Sequence, residues 1–164
     1  MHKADDITAT ATQRLTDFLA SRRMRKTPER YAILRSACRI HGMFTIDQLD
    51  EQIRQDGEML VSRTTLFNNL ETLVEAQVLI KHTLARAAHY EANLTPSPKA
   101  YMVCDRCRKV AKLERKELEA YLAAVRSKSF VVRQPILYLH GLCRKCYMEQ
   151  IRKVKQTNIR QFHD

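Results

Sequence analysis

The sequence has no tryptophan, only three glycines and four prolines in 164 residues. So few turn-forming residues exclude a β-sandwich, which needs many tight reversals. No apolar run approaches the length that spans a bilayer, and residues 1–6 lack the apolar stretch of a secretory signal. These absences predict a cytoplasmic protein with no membrane partner. The chain also has no phosphate-cradling glycine loop, no nucleophile–base pair and no ligand set suited to an open metal site, so an enzyme is not expected. What is present is a hydrophobic content of 45%, enough for one ordinary core or two small ones.

Positive charge is in surplus. The formal net charge is +11, which suits an anionic partner, usually nucleic acid. Residues 1–93 hold 13 Lys and Arg against 12 Asp and Glu, whereas residues 94–164 hold 16 against 6. Within the first half, Arg22, Arg23, Arg25, Lys26 and Arg30 cluster, while Asp47, Asp50, Glu51, Asp56 and Glu58 group downstream.

Of five cysteines, four form two C-x-x-C pairs, Cys104/Cys107 and Cys143/Cys146. Two thiolates separated by two residues grip one metal from a single turn, and two such turns supply the four soft ligands of a closed tetrahedral zinc site. A closed site staples structure and does no chemistry. In a reducing compartment such pairs bind metal more readily than each other. An iron–sulfur cluster also takes four cysteines, so the ligands alone do not name the metal. Cys38 lies in an apolar helical stretch and reads as a buried small residue.

Leu15, Phe18 and Leu19 share one face of a first helix over about residues 8–21. Thr27-Pro28-Glu29 is a helix-start signal, with Thr expected to cap the free backbone N–H groups. Thr45 and Gln48 form a capping box, and Gly57 closes that short helix. Ser62 opens the next, in which Leu66, Leu70, Leu73 and Val74 give a helical stripe. Two such helices in succession are a helix-turn-helix. Residues 78–80 and 88–91, joined through residues 84–87, predict a hairpin, the wing of a winged helix. The Pro-rich stretch 94–98 marks a hinge between domains 1–93 and 99–164. Beyond it, strands are expected around 101–103, 110–113, 130–132 and 136–139, and helices over 116–127 and 143–155. The fold class is therefore α+β: a winged helix-turn-helix domain, then a small α/β domain holding the four cysteines.

The exposed face of the second helix of the pair offers Arg63, Thr64, Thr65, Phe67, Asn68 and Asn69 to a major groove. Asn reads adenine, Arg reads guanine, and methyl or ring carbon touches the thymine methyl. Arg25, Lys26 and Arg30 would reach phosphates or a minor groove.

The order of parts resembles the ferric uptake regulator (Fur) family. The pieces that carry it are Arg25-Lys26-Thr27-Pro28-Glu29-Arg30, Thr64-Thr65-Leu66-Phe67, Tyr90-Glu91, the first cysteine pair, and Leu137-Tyr138-Leu139-His140-Gly141 ahead of the second pair. The resemblance runs from about Leu15 to Tyr147. It implies a homodimeric transcriptional regulator, a repressor, whose first domain binds AT-rich palindromic operators on double-stranded DNA. The second domain would dimerise and hold one structural zinc per chain. Arg25 falls where the family places a minor-groove lysine, and Phe67 where it places a base-contacting tyrosine.

The departures concern the sensed metal. Family members carry a His-rich run before the first C-x-x-C; here it reads Ser97-Pro98-Lys99-Ala100-Tyr101. Pro135 and Met43 stand at two further ligand positions. Glu91 survives, beside His89, so these two are the remaining candidates for a regulatory site, and a second, regulatory metal is not expected. Asn68 stands where the family has arginine, and Phe67 lacks the phenolic hydroxyl, so the operator is expected to differ. Two other classes stay open: an iron–sulfur or dithiol redox protein, and a zinc-stapled adaptor without DNA binding.

Overall fold

The computed structural model describes residues 2–57, 59–84, 87–94 and 97–161. The chain forms two compact units, Met1–Thr95 and Pro96–Asp164. Part of the expected hinge, Thr95 and Pro96, lies outside the described residues, as do Ala85 and Arg86 in the expected hairpin joint.

In the first unit α1 (His2–Ser21) starts earlier than the apolar stripe alone suggests. α2 (Pro28–Arg39) begins on Pro28 at its first turn, as expected, but Thr27 makes no capping bond. The Thr27 hydroxyl serves the Glu29 carboxylate instead. The Glu29 backbone N–H and then that hydroxyl hold the carboxyl below its ordinary range. α3 (Ile46–Asp56) carries the capping box in full: Gln48 N–H donates to Thr45 Oγ1 at 3.3 Å and Thr45 N–H to Gln48 Oε1 at 2.8 Å. It closes on Gly57 at φ 66°, a left-handed cap that glycine adopts without steric cost. α4 (Arg63–Glu75) opens on Ser62, whose Oγ accepts from Thr65 N–H at 3.1 Å.

A two-residue strand, β1 (Met43–Phe44), then β2 (Leu79–Leu84) and β3 (Ala87–Ala92) complete the first unit as an antiparallel sheet in the order β1-β3-β2. β2 and β3 pair with Lys81 opposite Tyr90 and His82 opposite His89. Both strands are longer than the expected 78–80 and 88–91, and β1 was not expected. The core draws on every element: Leu15 and Leu19 from α1, Ile33 and Leu34 from α2, Leu49 and Ile53 from α3, Leu66, Leu70 and Leu73 from α4, with Phe44 and Tyr90 beneath. Each such side chain contributes about 1.5–3 kcal/mol by leaving water. The unit is the four-helix, winged arrangement in which α4 turns one face to the core and the other outward.

The second unit holds β4 (Lys99–Cys104), β5 (Val110–Lys112), α5 (Lys116–Ala124), β6 (Ile136–Gly141) and α6 (Arg144–Gln161). The sheet order is β5-β4-β6, antiparallel at β4/β5 and parallel at β4/β6. Residues 130–132, expected as a strand, form no strand pairing among the described residues and are exposed. Their β-branched and aromatic side chains favour extended backbone, but no ladder partner meets them. α5 buries none of its residues, and Tyr121 is 72% exposed.

Candidate nucleic-acid interface and metal centre

α4 sets the first site. Leu66, Leu70 and Leu73 fix its inner face, so residues one turn apart on the opposite face must look outward. Arg63, Thr64, Asn68 and the ring of Phe67, 46% exposed, occupy that face. Arg63 pairs with Asp47 at 2.7 Å and its guanidinium lies 6.0 Å from the Phe67 ring centroid. Glu71, at the far end of the same face, is held by Lys81 of the wing at 2.7 Å. Thr65 is half-buried and its hydroxyl is bonded to Ser62 Oγ at 2.8 Å.

Asn69 is placed otherwise than the sequence reading expected. It is 7% exposed, accepts from Arg30 Nε at 3.1 Å and donates to the Thr65 carbonyl at 2.7 Å. Its amide is used inside the protein rather than offered outward. Arg30 is correspondingly half-buried, and also donates to the Arg25 carbonyl. Arg25 and Lys26 are exposed. The connector thus hangs on Arg30, and Arg30 on α4.

His82, not singled out in the sequence, is fully buried and lies 3.1 Å from Glu91 through Nε2. Its position between the buried Ile80 and Leu84 on alternate residues of β2 was the available signal. His89 is half-buried opposite it. Among the described residues the only group of three or more potential ligands is the cysteine set, so His89 and Glu91 are not joined there to a third.

That second site follows from strand pairing. Parallel register puts Cys104 beside Gly141, so the turn after β4 and the start of α6 meet at one end of the sheet. Asp105 N–H donates to the Gly141 carbonyl at 2.8 Å, and Cys143 N–H to Cys104 Sγ at 3.3 Å. The four sulfurs lie within 4.8 Å of one another, and Cys107 and Cys143 are 3.7 Å apart. Four thiolates on one zinc at about 2.3 Å would have edges of roughly 3.8 Å, whereas a disulfide needs about 2.05 Å. All four thiols are free. The set fits one tetrahedrally bound ion. Bonds from the Cys107 and Cys143 N–H groups lower the Cys104 thiol to about 6, and the Cys146 N–H lowers Cys143. Burial, then the neighbouring sulfurs, push Cys146 up to about 12.

A winged helix with an outward polar face on its second paired helix, followed by a unit with four cysteines placed so that they could hold one ion, defines the class of fold. The model of the ferric uptake regulator family matches residues 21–140, and the chain belongs to that family, whose members are DNA-binding transcription regulators rather than enzymes. Among curated protein sequences none matches significantly. The ferric uptake regulator of Helicobacter pylori, with three functional metal-binding sites, superposes at a TM-score of 0.63 and 15% identity, over 85% of this chain and 93% of that one. That of Pseudomonas aeruginosa, with manganese, gives 0.64 and 19%, over 79% and 97%. A zinc uptake regulator in complex with zinc and DNA gives 0.52 and 22%, over 92% and 99%. At these identities the likeness is one of fold. Among the described residues no helix is long and apolar enough to cross a membrane.

Proposed function

We propose that the chain is a cytoplasmic repressor that binds operator DNA as a homodimer, each copy stapled by one zinc ion. The observation that carries this reading is the outward face of α4, where Arg63, Thr64, Phe67 and Asn68 stand clear of the core, with the exposed Arg25-Lys26 connector tied to the same helix through Arg30, which bonds Asn69 and the Arg25 carbonyl. Arg63 and Asn68 suit base edges, Phe67 a thymine methyl, and Arg25 and Lys26 the phosphates or a minor groove. Thr65 steadies the start of the helix, and Asn69 and Arg30 set its orientation.

Residues 99–164 form the dimerisation domain and residues 94–98 the hinge. The dimer is supported by the apolar surface that one copy leaves open: Tyr121, Phe130 and Val131 are 72, 71 and 82% exposed, and β6 is an edge strand with outward Leu139. Edges and patches of this kind are covered by a partner. Two copies would then set the spacing of two half-sites.

Cys104, Cys107, Cys143 and Cys146 hold the zinc. Sulfurs this close leave room for one ion and none for bridging sulfides, which favours zinc over an iron–sulfur cluster. When bound, the ion supplies structural cross-linking only. Metal sensing is lost or rewired, because the run ahead of the first cysteine pair has no imidazole and Glu91 is engaged by His82. The test is genomic footprinting of the purified protein, with and without added divalent metal. Protection of palindromic sites that does not depend on added metal is expected. Absence of any protected site would overturn the reading.

A further inference from the structure

The charge of this protein is not carried by its reading head. Residues 1–93 are close to neutral, and residues 94–164 hold 16 Lys and Arg against 6 Asp and Glu. The fold gathers part of that surplus in one place. The cysteine cluster draws residues 105–109 against the first turn of α6, so exposed Arg108 and Lys109 share one end of the unit with exposed Arg144 and Lys145. α6 continues from there with exposed Arg152 and Lys153. At about 100° per residue these four cations of α6 fall within half its circumference, and Lys145 to Lys153 spans about 12 Å.

Neutralising the cage does not account for them. A divalent ion with four thiolates has a net charge of −2, which takes up two cations of a surplus of ten. We infer that the second unit carries a sequence-independent phosphate-binding surface for duplex DNA, formed by Lys109, Arg144, Lys145, Arg152 and Lys153. Its cations are long and flexible; the same arc also carries Met148 and Glu149, the latter paired with Arg106, and no stacking aromatic. Long cationic side chains that meet phosphates position a duplex without reading it. Twelve ångströms of helix matches about three to four phosphates at 3.4 Å of axial rise each. The inference rests on the proposed function only in that the chain meets duplex DNA. Operator selection belongs to α4, and the second unit adds affinity for any sequence, holding the regulator on DNA between operators.

The test measures binding of the full-length protein to an operator-free duplex as a function of KCl. Each cation–phosphate pair removed reduces the slope of log K against log salt by about 0.9. R144Q/K145Q/R152Q/K153Q is expected to reduce it by up to roughly 3.6, and R152Q/K153Q, clear of the cysteines, by about 1.8. In both, the ratio of operator to random affinity should stay unchanged. An unaltered slope in R152Q/K153Q overturns the inference, as does tighter binding of double-stranded RNA than of DNA at equal salt. If random-duplex binding shows these slopes but no operator is preferred, the repressor reading fails and this one stands. If R25Q/K26Q alone abolishes random binding, the reverse holds.

Discussion

Asn69 uses its amide inside the first unit. It joins α4 to Arg30, and Arg30 joins the basic connector through the Arg25 carbonyl. Asn69→Ala leaves a half-buried guanidinium short of an acceptor, which costs about 1–3 kcal/mol. Urea unfolding should show that loss, and operator affinity should fall further than stability alone explains because the connector is no longer registered on the helix. Asp56 makes a second prediction at this scale. Burial alone would raise its carboxyl, but bonds from Ser36 at 2.5 Å, Gln52 at 2.9 Å and Arg39 at 2.7 Å hold it below the ordinary value of 3.8. A folded-state value below the unfolded one contributes stability above pH 3.8, and that contribution is lost as pH falls through the lower folded value. Asp56→Asn should therefore destabilise the protein at neutral pH, by about 1–3 kcal/mol, and flatten the acid limb of its stability curve. An unchanged limb in pH-dependent urea melts would show that Asp56 is not the group titrating there.

Elements that look incomplete in one copy predict a second. α5 buries nothing, β6 lacks a neighbour on one side, and Leu139 is 43% exposed. Leu139→Lys should place a charge on that surface and shift the protein to a monomer in sedimentation velocity, with the helical content retained. The same element scale shows what the sequence could tell. Thr45, Gln48 and Gly57 announce α3 because caps are local chemistry, and the C-x-x-C pairs announce the cage because two turns need only meet. β1 was not legible, since Met43 and Phe44 are too few to alternate and their pairing with Glu91 and Tyr90 is long-range. Residues 130–132 misled for the opposite reason: local propensity was strong and no partner strand existed. Asn69 sits at the border of the polar and apolar stripes of α4, where a short amide suits either side, and only Arg30 decides. His82 was not legible because histidine on a strand carries no sign of its partner until the hairpin register brings Glu91, diagonal to it, within 3.1 Å.

The two units differ in what holds them, and metal removal should separate them. The first has a continuous core drawn from four helices and the wing. Among the described residues the second contributes only Ala100, Tyr101, Val103, Cys104 and Cys146 to the buried apolar set, and two of these belong to the cysteine cluster proposed to hold the ion. A unit of this size with so small a core needs a staple. The free energy of binding a structural metal is then largely folding free energy. Chelation, or Cys104→Ser, should leave amide protection in α2, α3 and α4 near its native level and abolish it in β4, β6 and α6. A single melting transition should split into two, with the lower one restored by zinc in the chelated protein and not in the Cys104→Ser variant. Dimerisation should vanish with the lower transition, and operator affinity should fall to that of a single winged unit. Uniform protection across both units after complete chelation, checked by metal analysis of the same sample, would mean that the sheet and the partner copy hold the second unit without the ion.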